Sequence, residues 1–453
     1  MAVHPESTAG TIAAIASPPG TGAVCLIRIS GPLAMEVASR ATGGKLTPDS
    51  PPRTALRCRI LDGTGSVLDD GLFTLFPAPN SFTGENCAEF TGHGGLLVTR
   101  AVLDRLLECG ADPAGPGEFT QRAFLNGKLD LTQAEGVMDL ISAQTRLALR
   151  AARGQIEGAL GLRTAAARDA LLETLAHLEA WIDFSEEDIS PAAGSALLDR
   201  LRESLSEIDS LLATADQGRV LREGVRTVIF GPPNVGKSSL LNRLLGFERA
   251  IVSDIPGTTR DTIEETVNLG GLPLRLVDTA GLREGADAIE AAGITRTVRQ
   301  LETADLLLET ADASQPPPPG SPLPESCGHR LRVLNKCDLP EHPGWANADA
   351  VRISCASGEG FDSLATRIRE TLGFGEADWG EQSVAINARH QASLKTARHA
   401  IAAAIRILSE SAGAPELAAI DLREALDALG EIPGKVDTED LLGVIFSRFC
   451  IGK

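Results

Sequence analysis

Tyrosine is missing altogether, and aromatic residues of every kind make up only 4% of this 453-residue chain. Single-stranded nucleic acid therefore finds few rings on which to stack its bases. Positive charge is also short. The 42 Lys and Arg against 61 Asp and Glu leave a formal net charge of −19. That balance works against sequence-independent gripping of phosphate backbones, although a local basic patch can still hold RNA. No apolar run approaches the ~18 residues of a membrane-crossing helix. The start, "MAVHPESTAG", has no basic segment ahead of an apolar stretch, so neither a span nor a signal peptide is expected. The eight cysteines show no CxxC spacing and no histidine at zinc-finger distance. Reduced thiols in a cytoplasmic protein, without disulfides or structural metal, are the expectation.

What the chain has is length, beyond the ~250–300 residues at which a single core stops growing. Its texture divides it into 1–122, 123–221, 222–378 and 379–453. The first part mixes short apolar runs with Gly/Pro punctuation, giving strands and turns with a helix around "LLVTRAVLDRLLECG". The second is helical: Leu197, Leu201, Leu205, Ile208, Leu211 and Leu212 recur at three- and four-residue spacing, and "SPAAGS" (190–195) breaks the stretch. The third alternates strands and helices, an α/β pattern, with "QPPPPGSPLP" read as a stiff surface loop. Helical texture then returns. An α/β block between helical flanks predicts an inserted domain.

The inserted block carries the most informative stretch, "VRTVIFGPPNVGKSSLLNRLLG". An apolar strand runs into GxxxxGKS and then a helix, the context that confirms a phosphate-cradling loop. Gly231 and Gly236 let backbone amides curl around phosphates, Lys237 reaches the β/γ oxygens, and the Ser238 hydroxyl suits Mg²⁺. "LRLVDTAG" delivers Asp278 at a strand end, with the Gly281 amide beside a γ-phosphate. In "GTTRD", Thr259 completes the Mg²⁺ shell. "LRVLNKCD" brings Asn335, Lys336 and Asp338 after another strand, and the Asp338 carboxylate can accept from the N1–H and amine of guanine. "SCASG" (354–358) caps the base edge. Five elements in this order predict a GTP-binding domain. Leu282 stands after DTAG, where Ras-type proteins use a water-orienting glutamine. Hydrolysis then needs another device, and Asn234 could present a monovalent cation to the phosphates. A plain tight-turn asparagine is the competing reading.

Together "GPPNVGKSSLLN", "IPGTTRD", "DTAGLRE", "NSFTGEN…GHGG", "PGEFTQRAFLNGKLDL", "DFSEEDI" and the final "FCIGK" resemble the MnmE (TrmE) family of bacterial tRNA-modification GTPases, over essentially the whole chain. The resemblance implies a multidomain α/β and all-α fold: an N-terminal α+β tetrahydrofolate-binding and dimerisation domain (1–122), a discontinuous helical domain (123–221 and 379–453), and an inserted Ras-like P-loop G domain (222–378). It implies a K⁺-activated GTP hydrolase that works as a homodimer with the FAD-dependent flavoprotein MnmG. Together they add an aminomethyl or carboxymethylaminomethyl group to C5 of the tRNA wobble uridine, with 5-formyl- or methylenetetrahydrofolate as the one-carbon carrier.

Residue by residue, the resemblance places K⁺ on Asn234, Ser253, Ile255 and Thr258, and Mg²⁺ on Ser238 and Thr259. GTP meets Asn234, Val235, Gly236, Lys237, Ser238 and Ser239, then Ser253, Asp254, Ile255, Pro256, Gly257, Thr258 and Thr259. Asp278, Thr279, Ala280 and Gly281 follow, and then Asn335, Lys336, Asp338, Ser354, Cys355 and Ala356. Glu290 polarises the attacking water, with Glu284 as second choice. Folate falls to Arg28, Glu89, Lys128 and Lys453. Thr21 stands where many relatives carry Arg, and Cys355 where Ala is usual. The rival readings are a regulatory RNA-associated GTPase switch without modification chemistry, and a scaffold. The stripe Arg389, His390, Lys395, Arg398, His399, Arg406 is either RNA-facing or a solvated helix face.

Cys450 stays open between a chemical role and a packing plug. "FCIGK" ends in Lys, a poor last residue for prenylation. The apolar stripe Leu442, Ile445, Phe446, Phe449 predicts a docked helix, with Asp437 suited to cap its start.

Overall fold

A computed structural model describes residues 10–47, 49–183, 192–246, 265–277, 303–318, 328–374, 384–409, 414–434, 439–447 and 449–452, without the side chains of 192–195, 439–441 and 444. The chain forms two compact units, one of residues 1–135 with 433–453 and one of residues 136–432. Among the described residues no helix is long and apolar enough to cross a membrane.

The first unit is built on a sheet of β1 (Ile12–Ile15), β2 (Val24–Ser30), β3 (Leu56–Leu61), β4 (Val67–Phe76), β5 (Cys87–His93) and β6 (Asp112–Pro113), in the order β3-β4-β5-β2-β1-β6. All pairings are antiparallel except β1 with β6. Side chains alternate across a strand, so Cys25, Ile27 and Ile29 of β2 enter the main core with Phe73, Phe90 and the apolar faces of α1 (Ala34–Ala41) and α2 (Leu96–Glu108). Arg28 and Ser30 point to the opposite face. There Ile12, Ala14 and Ala114 pack with Phe119 of α3 (Glu118–Leu125), against Phe82.

The tail closes on this unit. After α13 (Glu439–Phe446), Ile451 forms a bridge with Pro116, and Gly117 N donates to Cys450 O at 3.3 Å. Gly117 has φ +65, and a Cβ there would sit 2.8 Å from Phe449 Cβ, so glycine is required for the approach. Leu442, Phe446 and Phe449 are buried as the stripe anticipated, while Asp437 lies outside the described residues.

The second unit begins within α4 (Leu131–Ser142), at Gly136, and continues through α5 (Arg146–Ile156), α6 (Ala159–Asp183), α7 (Ala192–Ala213) and α8 (Ala215–Glu223). Apolar residues at helical spacing on α6 (Leu160, Leu171, Leu178) and α7 (Leu201, Ile208, Leu211) form one core with α11 (Ala388–Ser409) and α12 (Pro415–Glu431). Of the expected break at 190–195, Ala192–Ser195 belong to α7, and 190 and 191 lie outside the described residues.

The α/β block has the sheet order β12-β11-β10-β7-β9-β8. Its strands are β7 (Val225–Phe230), β8 (Glu265–Leu269), β9 (Leu272–Leu276), β10 (Leu306–Asp312), β11 (His329–Asn335) and β12 (Val351–Arg352), and all pair parallel except the β8–β9 hairpin. α9 (Lys237–Gly246) and α10 (Phe361–Thr371) pack on it. The chain leaves and re-enters the helices side by side: Thr214 Oγ1 donates to Val384 O at 2.8 Å, and Arg222 to Ile386 O at 2.6 Å.

Candidate functional site

Strand β7 is apolar and central, and it ends in a loop that can only be glycine-rich. Gly231 has φ +154 and a Cβ there would lie 2.1 Å from Thr310 O; Gly236 has φ +94 and its Cβ would lie 2.2 Å from Asn335 Nδ2. Both glycines permit backbone approach that any side chain would block. Between them Asn234 adopts φ +63, a left-handed conformation uncommon outside glycine but tolerated by asparagine. Asn234, Ser238 and Ser239 are exposed and Val235 is buried beneath them. Lys237 Nζ donates to Gly231 O at 2.9 Å and Pro232 O at 2.6 Å, and burial pushes its pKa down.

The loop after β11 fastens onto the same turn. Asn335, 2% exposed, donates from Nδ2 to Val235 O at 2.9 Å and accepts at Oδ1 from Cys355 N at 3.1 Å. One side chain thus joins the phosphate loop to the base-edge loop. Lys336, at φ +65, donates to Asn234 O at 3.2 Å and to Asp312 Oδ2 at 2.6 Å. Asp338 is exposed, and Ser354 Oγ donates to its Oδ1 at 2.6 Å, which fixes the plane of a carboxylate turned to solvent. Ala356 follows Cys355 in the same turn. Burial pushes the Cys355 thiol up to about 11, against the opposing pull of Arg243, so it stays a neutral filler. Burial works to raise the Asp312 carboxyl, yet its bonds from Lys336 and Ser314 outweigh this and leave it low.

Ser253, Asp254, Ile255, Pro256, Gly257, Thr258, Thr259, Asp278, Thr279, Ala280, Gly281, Glu284 and Glu290 lie outside the described residues, as does Lys453.

The second cluster lies on the sheet face of the first unit that α3 covers. Cross-strand partners Arg28 and Glu89 form an ion pair, Nε to Oε1 2.8 Å, with side chains 14% and 22% exposed. The Arg28 guanidinium sits 5.1 Å from the centroid of Phe82 and 5.7 Å from that of Phe119. Beside them Arg122, 2% exposed, bonds Glu85, Glu118 and Gly10 O. Ser30, Thr83 and Cys87 bond one another beneath Glu85. Lys128 Nζ donates to Pro79 O at 3.2 Å, in the loop that carries Phe82. Cys450 is half-buried where its carbonyl meets Gly117 N, at the head of the helix bearing Phe119.

The basic stripe does not act as one face. His390 is fully buried, Arg389 caps the end of α12 through Glu431 O and Ile432 O, and Arg398 pairs with Asp209.

With both clusters in view, comparison with known proteins is decisive. A family model of the MnmE helical domain matches residues 131–450, and one of the TrmE N-terminus, described as a GTP-binding protein, matches 11–128. The tRNA modification GTPase MnmE of Akkermansia muciniphila is 54% identical over 98% of this chain and 99% of its own length. The chain belongs to the MnmE family of tRNA modification GTPases. The MnmE of Chloroflexus aurantiacus is 46% identical over 98% of this chain and 99% of its own, and that of Xanthomonas campestris pv. campestris strain B100 is 43% identical over 99% and 100%.

Sequence reasoning named Asn335, Lys336, Asp338 and the P-loop, whose described residues the fold brings together, but passed over their neighbour Asp312 and, in the first unit, Arg122, Phe82 and Phe119. Asp312 had a signal: it ends a strand that opens on the apolar run Leu306–Leu308 and is buried along its whole length, where a carboxylate needs a partner. The aromatic pair around Arg28 is set by tertiary packing and left no mark in spacing.

Proposed function

We propose that this MnmE-family chain is a K⁺-activated GTP hydrolase. With the flavoprotein MnmG it adds an aminomethyl or carboxymethylaminomethyl group to C5 of the tRNA wobble uridine, from a tetrahydrofolate-borne one-carbon unit. The observation that carries the hydrolase part is the single side chain of Asn335 tying Val235 of the phosphate loop to Cys355 of the base loop. The residues fit the nucleotide: Gly236 lets the Asn335 amide pack against the phosphate loop, and Asp338 offers an oriented carboxylate to guanine's N1–H and amine. Ser238 and Thr259 would hold Mg²⁺. Asn234, Ser253, Ile255 and Thr258 would hold K⁺, and the two cations supply positive charge to the phosphates. Leu282 cannot orient water, and Glu290 takes that task.

For the folate, the exposed edge of the Arg28–Glu89 pair between two phenyl rings suits a flat, hydrogen-bonding heterocycle. Glu89 accepts from ring N–H and amine groups, and Arg28, committed to Glu89, holds that carboxylate in place. Lys128 and Lys453 would meet the glutamyl carboxylates. Cys450, whose carbonyl meets Gly117 N at the head of α3, would position substrate or act at the carried carbon. The two-part domain scheme with an inserted G domain, the homodimer and the partnership with MnmG complete the proposal. GTP turnover measured in K⁺ and in Na⁺ tests the hydrolase: K⁺ is expected to accelerate it, and equal rates refute K⁺ activation. Glu290→Ala should abolish turnover, and Glu284→Ala should not.

A further inference from the structure

We propose that Asp312 is a positioning residue of the nucleotide site. It holds the Lys336 amine against the P-loop, so that seating of the guanine base and the shape of the turn at Asn234 are set together. Asp312 lies at the C-terminal end of β10, in register with Asn335 of β11, and is 8% exposed. Its carboxylate accepts from Lys336 Nζ at 2.6 Å, Ser314 Oγ at 2.7 Å and Ser314 N at 3.0 Å. Lys336 in turn donates to Asn234 O at 3.2 Å. Lys336 and Asn234 both have left-handed backbones, φ +65 and +63, which cost L-residues energy and persist only where surroundings enforce them. The link Asp312–Lys336–Asn234 is such an enforcement. It runs in parallel with Asn335–Val235, so the base loop grips the phosphate loop at two successive carbonyls.

A merely local role is the alternative, since Asp312 also closes the turn to Ser314. The two roles separate chemically. Asparagine keeps an acceptor for Ser314 but loses the charge that holds the ammonium.

The effect on K⁺ rests on reading Asn234 as a cation ligand; the effect on guanine nucleotide does not. Full-length protein is tested as wild type, Asp312→Asn, Lys336→Met, the double variant and Ser314→Ala. Fluorescent GDP affinity and GTP turnover against K⁺ concentration are measured. Asp312→Asn is expected to weaken GDP about tenfold and raise the half-activating K⁺ concentration several-fold, with turnover at saturating K⁺ and GTP near wild type. The double variant should be no weaker than Lys336→Met alone, the non-additivity of two groups acting as a unit. Ser314→Ala should bind GDP as wild type does. Unchanged GDP affinity in Asp312→Asn, or losses that add, overturns the proposal. Equal wild-type turnover in Na⁺ and K⁺ defeats the cation reading alone, and the GDP cycle still decides the role of Asp312.

Discussion

The C-terminal tail offers the sharpest perturbation, because one methyl group separates docking from clash. Gly452 has φ +98, and a Cβ there would lie 2.3 Å from Ile15 O and 3.0 Å from Ala16 Cα, both backbone atoms that cannot swing away. Gly452→Ala therefore incurs about 1–2 kcal/mol of left-handed backbone strain. Relieving the clash also breaks the Pro116–Ile451 bridge or the bond from Gly117 N to Cys450 O, worth about 1 kcal/mol net each. The total of about 2–4 kcal/mol shifts the docked-to-undocked ratio of the tail by about 30- to 1000-fold. Thiol alkylation with peptide mapping reads this directly. Cys25, Cys58, Cys87 and Cys109 are buried and give a slow internal reference, while half-buried Cys450 should label at least tenfold faster in the variant. GTP turnover should stay at the wild-type rate and tRNA modification should fall. An unchanged Cys450 labelling rate would refute the placement of the tail.

Glu309 on β10 pairs with Arg330 and Arg332; both arginines are about two-fifths exposed, so Glu309→Ala should cost about 1–3 kcal/mol in denaturant melts, less than the ~3–5 of a fully buried pair. Burial works to raise the Glu309 carboxyl, but the two arginines win and its pKa is lowered. Its stabilisation is therefore present above the unfolded value and lost as pH falls through the folded one; Glu309→Gln should flatten the acid limb of the melting profile below about pH 4.5, and an identical limb would contradict this. The bond from His93 to Asp69 raises the imidazole pKa. Proton NMR should find His93 titrating above the ordinary ~6.5 and falling toward it in Asp69→Asn. Cys355, held at about 11 by burial, should resist alkylation at pH 8 while its Ala variant binds GDP normally.

Much of the nucleotide site was legible because its chemistry is local. A glycine at Gly231 or Gly236, a lysine after it and an Asn-Lys-x-Asp after a strand each encode one contact in a few consecutive residues. The change from helical to strand–helix texture was legible too, since apolar periodicity switches there, and the sheet of β7 to β12 does stand between α8 and α11 in the chain. What sequence could not carry is contact between distant segments. Arg28 meets Phe119 only because β2 turns its even positions toward α3, and a helical stripe on 389–406 looks continuous until Arg389 and Arg398 find partners at Glu431 and Asp209. The tail likewise reads as the end of a helical segment, yet residues 433–453 group with the N-terminal unit, because Gly117 and Gly452 leave room for it there.

In the proposed function this chain modifies tRNA with a folate-borne carbon under GTP control. Nucleoside mass spectrometry of the wobble uridine tests it most directly, in a strain lacking the chain and in the same strain carrying wild type or Cys450→Ser. The account predicts loss of the C5 aminomethyl-type group in the deletion and full restoration by wild type. Unchanged tRNA in the deletion strain would contradict it, and would favour a GTPase switch without modification chemistry.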